Sequence, residues 1–171
     1  MEKRGSWTVG ITHLIEPSFD PENEAFGGRA NFVHFPSRDE AQFSIEALSK
    51  LDAFLVWTPS ISTNTIRRLK NCRILVRYGV GFDKIDLPGL ENAGIVFSNN
   101  PEYGPEDVAD TAVGLILALQ RRLVQHDALA KSYSDTWQEN HLAPMLHSPR
   151  ATVGIVGLGR IGTSVARRLT P

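Results

Sequence analysis

The sequence predicts a parallel α/β fold, and three observations support that prediction. Short apolar runs alternate with helical patterns along most of the chain, as they do where crossover helices join parallel strands. The run at residues 53–57 is apolar throughout, which is typical of a strand covered on both faces. Residues 157–162 form a glycine-rich turn between an apolar run and a helical pattern. At 171 residues, 42% of them apolar, the chain has room for one large domain or for one domain and part of a second.

The individual strands and helices of the first hundred residues follow from local signals. Strands are predicted at residues 8–12, 31–35, 53–57, 73–76 and 95–97. A helix is predicted over residues 37–50, where a hydroxyl cap precedes acidic side chains, and a shorter helix over residues 63–69. Another helix is capped by Asp86 and ends just before Gly94. Residues 17–28 are rich in turn formers, with room for one short helix.

From Pro105 the apolar residues recur at intervals of three and four, which predicts one long amphipathic helix. Its apolar stripe consists of Val108, Ala109, Ala112, Val113, Ile116, Leu119 and Leu123. Two acidic residues follow Pro105 and two arginines lie towards the other end, as the helix dipole favours. Residues 132–149 are interpreted as a linker or arm, residues 152–156 as a strand and residues 163–169 as a helix.

Composition excludes several classes of protein. Lys and Arg number 18 against 19 Asp and Glu, so no basic surface predicts nucleic-acid binding. The longest apolar segment, residues 108–119, is shorter than the roughly 20 residues that span a bilayer, so no membrane association is predicted. The single cysteine, Cys72, rules out a disulfide framework and favours a buried structural thiol. A cytoplasmic protein fits these features best.

No metal site is predicted. The five histidines precede the glycine-rich turn, lack the spacing of a helical zinc site and are interpreted as surface or packing residues: His13, His34, His126, His141 and His147. One cysteine cannot form a zinc cluster either.

The glycine-rich turn carries the most specific motif in the chain, a GxGxxG. It reads Gly157, Leu158, Gly159, Arg160, Ile161 and Gly162. The first glycine permits a tight turn, the second lets a pyrophosphate approach the backbone, and the third allows close helix–strand packing. The strand–turn–helix context favours dinucleotide binding over a merely structural turn. The acidic residue that binds the ribose would lie about 20 residues further on, past Pro171, so NAD and NADP both remain open.

Two further segments are less specific when each is taken alone. Arg77 is followed by two glycines that flank Val80, and the amides of such a loop can converge on an anion. Taken alone, this segment favours a simple strand-to-helix turn, and Arg77 could equally be a surface ion-pair partner. Residues 98–111 are a loop that enters a capped helix, with Tyr103 as an exposed aromatic residue.

Taken together, and in the order in which they occur along the chain, the three segments resemble the D-isomer-specific 2-hydroxyacid dehydrogenase family. The similarity runs from about Ala53 to Leu169, and it is closest to the branch labelled hydroxyacid dehydrogenase or C-terminal-binding-protein-like. Within the three segments it is carried by residues 77–86, 100–110 and 157–162, and residues 94–95 add to it.

The resemblance implies the domain organisation. Residues 1–104 would form part of a flavodoxin-like substrate domain, which is incomplete here. Residues 105–171 would contain the interdomain helix, a dimerisation arm and the first βα unit of a Rossmann coenzyme domain. The resemblance further implies that the intact protein is a homodimer.

The resemblance also assigns roles to individual residues. The amides of Val80 and Gly81 would hold the substrate carboxylate, with Arg77, Tyr78 and Gly79 in the same loop. Tyr103 occupies the position of a substrate-facing tyrosine in related lactate dehydrogenases. Val108 would lie on the nicotinamide side of the coenzyme, NAD or NADP, whose pyrophosphate the glycine-rich turn would bind.

The implied activity is NAD(P)H-dependent reduction of a small 2-oxo acid to a D-2-hydroxy acid. The family's catalytic arginine, glutamate and histidine follow the glycine-rich turn by many tens of residues, so none is expected before Pro171. We therefore expect residues 1–171 to be an inactive fragment of a longer enzyme. Two alternatives are an NAD-sensing corepressor scaffold of the C-terminal-binding-protein type and a non-catalytic half-protein that pairs with a paralogue. Formate dehydrogenase is disfavoured because its substrate-loop pattern is not seen.

Overall fold

The computed structural model describes residues 6–12, 18–132 and 147–170, and the chain divides into two compact units. The first unit is Met1–Glu102 and the second is Tyr103–Pro171. None of the helices in these described stretches combines the length and apolar character that a membrane crossing needs. Within the same stretches, no group of three His, Cys, Asp or Glu side chains is placed to hold a metal ion.

The first unit is built on a five-stranded sheet in which every recorded strand pair is parallel. Its strands are β1 (Trp7–Thr12), β2 (Ala30–Phe35), β3 (Ala53–Val56), β4 (Ile74–Arg77) and β5 (Val96–Asn99). Their order, β2-β1-β3-β4-β5, is the flavodoxin-like order. The predicted fold class is therefore confirmed. In such sheets ligands bind at the carboxyl ends of the strands, where the winding direction reverses, here beside β1 and β3.

The helices of the first unit are short, and three of the four are capped at their start by a side chain. They are α1 (Asp20–Phe26), α2 (Ile45–Ser49), α3 (Thr63–Ile66) and α4 (Leu87–Asn92), with a 3₁₀ turn at Glu40–Gln42. The prediction of Asp86 as a cap is confirmed, because its carboxylate accepts from the Gly89 amide at 3.0 Å. The prediction of one helix over residues 37–50 is wrong. Phe43 interrupts it in an extended conformation, because its ring packs in the core against Phe35 and Phe54.

The core lies on both faces of this sheet. Neighbouring residues of β3 point to opposite faces, so Phe54 joins the larger apolar cluster and Leu55 the smaller one. A side chain at Gly10 of β1 would meet Leu51 at 2.6 Å and Phe54 at 2.8 Å, so only glycine fits there. Cys72 is buried beside the larger cluster, which confirms the predicted structural thiol.

The second unit contains α5 (Pro105–Gln120), α6 (Leu123–Lys131), a 3₁₀ turn at Ser148–Arg150 and α7 (Arg160–Leu169). The predicted long helix ends earlier than its apolar stripe. Arg122 adopts a left-handed conformation, so Leu123 begins α6 instead of continuing α5. The predicted arm lies mostly outside the described residues.

The prediction of a strand at residues 152–156 is wrong, since these residues form no strand. A strand needs a partner for its backbone hydrogen bonds, and the described part of the second unit contains no other strand. Val153, Ile155 and Val156 are consequently exposed, as are Leu115 and Leu119 of α5.

Candidate functional site: an anion loop and a glycine-rich turn

The loop that follows β4 is held in place by β5 and its continuation. The Asn99 side-chain amide donates to the Val80 carbonyl at 2.8 Å, and the Asn100 backbone amide donates to the Gly79 carbonyl at 3.3 Å. The Phe82 ring packs edge-on against Phe97 with centroids 5.7 Å apart. These contacts fix residues 79–82 from one side of the sheet edge.

The same contacts leave the loop's amides available. Neither the Val80 nor the Gly81 amide donates a hydrogen bond to another residue in the described part of the chain. Arg77, at the end of β4, directs its guanidinium back across the loop, where Nη1 donates to the Val56 carbonyl at 3.5 Å. Gly79 is buried beside it, and a Cβ on Gly79 would lie 3.3 Å from Nη1. Two amides and one guanidinium thus flank the same short loop, an arrangement that suits a carboxylate.

Arg77 and Gly81 line a cleft of about 380 Å³ at this edge of the sheet. The hydroxyl residues Thr58 and Ser60, from the loop after β3, line it as well. Arg38, Asp83 and Lys84 complete the lining. Of these lining residues, only Arg77 and Gly81 were predicted from the sequence. A usable signal was present for Thr58 and Ser60, which directly follow a buried parallel strand.

The tyrosine next to Arg77 has a partner within the first unit. The Tyr78 hydroxyl donates to the Glu22 carboxylate of α1 at 2.6 Å, and its ring packs against the smaller apolar cluster. Burial raises the pKa of Tyr78 above its usual value, and the bond to Glu22 raises it further. Tyr78 is therefore a neutral hydroxyl at physiological pH, and its assignment as a substrate ligand stays a prediction. Tyr103 belongs to the second unit, where its side chain is 65% exposed.

The glycine-rich turn of the second unit needs glycine at two positions for reasons within the turn itself. Gly157 has a φ of 93°, which favours glycine. A Cβ on Gly162 would overlap the Gly157 carbonyl oxygen, so α7 could not approach the turn this closely with any other residue. The second glycine of the motif, Gly159, precedes α7, and a Cβ there would meet nothing within 4 Å.

The start of α7 presents unpaired backbone donors. The first backbone bond of the helix is donated by Thr163 to the Gly159 carbonyl at 2.9 Å. The amides of Ile161 and Gly162 therefore have no partner within the helix, as is usual at a helix N-terminus. The open space at Gly159 together with these donors fits a pyrophosphate group. Leu158 and Ile161 are exposed beside it.

An ionic network ties α7 to the first turns of α5. The Glu106 carboxylate accepts from the Ser164 hydroxyl at 2.5 Å and from Arg168 Nη2 at 2.8 Å. Arg168 Nε also donates to Asp110 at 2.5 Å. Hydrogen bonds from Ser164 and Arg168 hold the pKa of Glu106 below its usual value. This network fixes the helix that follows the glycine-rich turn against α5.

Val108 lies on α5 among these contacts. Its neighbour Ala109 is fully buried, whereas the Val108 side chain is 48% exposed. The valine therefore remains accessible in the described part of the second unit. Its assignment to the nicotinamide side of a coenzyme stays a prediction.

The first unit has a flavodoxin-like sheet, and the second contains a glycine-rich turn of the pattern that binds dinucleotides in other proteins. The profile of the D-isomer specific 2-hydroxyacid dehydrogenase catalytic domain matches residues 13–163. The chain therefore belongs to the D-isomer-specific 2-hydroxyacid dehydrogenase family, which confirms the resemblance.

The similar proteins are named as reductases and dehydrogenases. A glyoxylate/hydroxypyruvate reductase of Arabidopsis thaliana is 35% identical over 163 residues, which cover 94% of this chain and 51% of the relative. A glyoxylate reductase of Thermofilum pendens is 36% identical over 138 residues, covering 79% of this chain and 40% of the relative. The chain thus spans about half the length of the relatives it matches, or less.

Solved structures share the fold over a similar portion. A glyoxylate/hydroxypyruvate reductase of Sinorhizobium meliloti, in complex with NADP and malonate, superposes with a TM-score of 0.73 at 28% identity. That match covers 96% of this chain and 50% of the other. A D-lactate dehydrogenase of Aquifex aeolicus, complexed with NAD and lactic acid, gives a TM-score of 0.78 at 24% identity, which supports the fold alone. It covers 94% of this chain and 47% of that one.

Proposed function

We propose that this chain provides the substrate loop and the coenzyme turn of an NAD(P)H-dependent dehydrogenase that reduces a small 2-oxo acid to its D-2-hydroxy acid. The observation that carries the proposal is the loop after β4. Its Val80 and Gly81 amides have no partner in the described part of the chain, and the Arg77 guanidinium lies beside it. The names of the relatives favour this function over the corepressor scaffold.

The role of the loop is to bind and orient the substrate. A carboxylate that accepts from the two amides and from Arg77 would be held by charge-assisted hydrogen bonds, which are stronger than neutral ones. The Asn99 side chain fixes the Val80 carbonyl, so the peptide plane that bears the Gly81 amide cannot turn freely. Orientation of this kind lowers the entropic part of the barrier, because the 2-oxo carbon is presented in one position.

The role of the glycine-rich turn is to bind NAD or NADP. The amides of Ile161 and Gly162 would donate to the pyrophosphate, with Arg160 in the same turn, and the absence of a side chain at Gly159 would allow the pyrophosphate to come close. Leu158 would line the same turn. When bound, the coenzyme supplies the hydride for the reduction.

Two further assignments belong to this proposal. Residues 1–104 act as part of the substrate domain, and residues 105–171 contain the interdomain helix with Val108 and the start of the coenzyme domain. The protein assembles as a homodimer, and the exposed leucines of α5 support an apolar interface. Tyr78 and Tyr103 are substrate-binding residues in this proposal.

The test measures NADH and NADPH oxidation by the natural gene product with glyoxylate and hydroxypyruvate. We expect Arg77→Gln to raise KM at least tenfold, whereas Arg67→Gln, at the exposed residue that follows α3, leaves KM unchanged. Absence of turnover with either coenzyme on any small 2-oxo acid would refute the proposed function. Residues 1–171 purified alone are expected to show no turnover, and measurable oxidation by them would refute the assignment of catalysis to residues outside this segment.

A further inference from the structure

The cleft at the carboxyl edge of the sheet has an excess of positive charge. Its lining includes Arg38, Arg77 and Lys84 against one carboxylate, Asp83, which leaves a formal charge of plus two. In the described part of the chain, no ion pair joins Arg38 or Lys84 to an acidic side chain. A ligand with one carboxylate would therefore leave one positive charge of the cleft uncompensated.

Long-range hydrogen bonds bring these cations together. The Glu40 carboxylate accepts from the Ser62 amide at 2.9 Å and from the Thr65 hydroxyl at 2.5 Å. These bonds hold the segment after β2, which carries Arg38, against the loop after β3. Partial burial raises the pKa of Glu40, but the hydrogen bonds from Ser62 and Thr65 outweigh it and hold the pKa below its usual value. The Glu40 carboxylate is therefore ionised at neutral pH.

The loop after β4, which carries Lys84, is joined to the loop after β3 by backbone pairing. The Ile61 amide donates to the Lys84 carbonyl at 2.9 Å, and the Asp86 amide donates to the Ile61 carbonyl at 3.0 Å. This parallel bridge places Lys84 next to Ser60, and both residues line the cleft. The backbones that carry Arg38 and Lys84 are thus fixed, although both side chains are exposed.

The volume of the cleft also exceeds the needs of the smallest oxo acids. A two-carbon oxo acid would fill under half of the 380 Å³, even if each heavy atom took the roughly 30 Å³ that a water molecule has in the liquid. The remaining space is bordered by hydroxyl and cationic residues, which suit an anionic group better than an alkyl chain.

We propose that the substrate is a 2-oxo acid with a second anionic group, a carboxylate or a phosphate ester, which Arg38 and Lys84 bind while the loop at Arg77 holds the 2-oxo acid. This inference rests on the proposed function and defines its substrate class. Arginine can bind either anion with two parallel hydrogen bonds, and lysine adds a point charge. The hydroxyls of Thr58 and Ser60 are additional donors on the same cleft.

The first test measures the binding of ligand pairs to residues 1–171 by heteronuclear NMR of the backbone amides. The ligand pairs are 2-oxoglutarate with 2-oxopentanoate, and the 3-phosphate ester of hydroxypyruvate with hydroxypyruvate itself. In each pair the first acid has a second anionic group that the other acid lacks, which is a carboxylate with one negative charge or a phosphate monoester with about −1.5 to −2. We expect the acid with the second anionic group to bind about tenfold tighter in at least one pair, with shifts at Val80 and Gly81. The preferred pair distinguishes a carboxylate from a phosphate, and equal affinities in both pairs would overturn the inference.

The variants Arg38→Gln and Lys84→Gln are expected to remove most of this preference. The matched control is Lys70→Gln, an exposed lysine outside the cleft, which should keep it. A preference that survives in both cleft variants would also overturn the inference, because the second charge would then be bound elsewhere.

Turnover by the natural gene product separates this inference from the proposed function. If acids with and without the second anionic group are reduced with the same kcat/KM, the proposed dehydrogenase function stands and the second anion site is refuted. Tighter binding of the dianion without any turnover supports the anion site and overturns the dehydrogenase. We expect a kcat/KM ratio in favour of the dianion that falls about tenfold in Arg38→Gln.

Discussion

Substitution of Gly162 by alanine is expected to destabilise the second unit, because the new methyl group would overlap the Gly157 carbonyl oxygen. That oxygen belongs to the backbone of a tight turn, so it cannot rotate away as a flexible side chain could. Overpacking of this kind costs about 1–3 kcal/mol. For a chain of this length each kcal/mol lowers Tm by roughly 2–4 °C. Thermal unfolding of residues 1–171, followed by circular dichroism, measures the effect.

Two other glycines provide matched comparisons. Gly114 lies within α5, and a Cβ there would meet nothing within 4 Å, so Gly114→Ala should stabilise by about 0.5–1 kcal/mol through helix propensity. Gly159 also has open space, and its φ of −79° suits alanine, so Gly159→Ala should leave Tm nearly unchanged. In the natural gene product, however, Gly159→Ala should weaken NADH binding at least tenfold, because the methyl group would occupy the space proposed for the pyrophosphate.

The three variants separate packing from coenzyme binding. Unchanged stability of Gly162→Ala would refute the close approach of α7 to the turn. Unchanged NADH affinity of Gly159→Ala, measured by the fluorescence of the bound nucleotide, would refute pyrophosphate binding at this turn. A loss of stability in Gly114→Ala would show that α5 has a contact at this position other than those described.

Three further predictions concern the first unit. Tyr78→Phe should lower the free energy of unfolding by about 0.5–1.5 kcal/mol through loss of the bond to Glu22, and a raised KM for the oxo acid would support Tyr78 as a substrate ligand. Because the pKa of Glu40 is lower in the folded state, its stabilisation is present above the ordinary value of 4.5 and is lost as the pH falls below it. The free energy of unfolding in urea should therefore differ between Glu40→Gln and the wild type at pH 7, and this difference should shrink in acid. A difference that does not change with pH would contradict the prediction. Burial raises the pKa of Cys72 to about 11, so the thiol should resist a disulfide reagent at neutral pH until the protein is unfolded.

The strands β1 and β3, in the interior of the sheet, were predictable because they are covered on both faces. A buried parallel strand is a continuous apolar run, so residues 53–57 predicted β3 to within one residue. The Asp86 cap was equally readable, since its bond to the Gly89 amide spans only three residues. The same holds for the glycine-rich turn, because the need for glycine at Gly162 arises from Gly157, five residues earlier.

The errors occur where structure depends on distant partners. Residues 152–156 have a strand-like composition, but a strand exists only when another strand pairs with it. Residues 37–50 have helical signals, but burial of Phe43 against Phe35 and Phe54 separates them into two short pieces. The local pattern contains no information about either outcome, because both depend on residues that are brought together by the fold.

The same reasoning explains why the charged cleft was not predicted, although Arg77 was. Arg77 stands next to the glycines of its loop, so proximity in sequence was sufficient to suggest an anion site. Arg38 reaches that site only through Glu40, whose partner Ser62 is 22 residues away. Lys84 is placed beside Ser60 by the bridge between Ile61 and Ile85, which no sequence period indicates. A motif therefore identifies the part of a site whose residues are neighbours in sequence. Residues that separate loops bring to the same cleft become visible only when the sheet has aligned the strands that precede those loops.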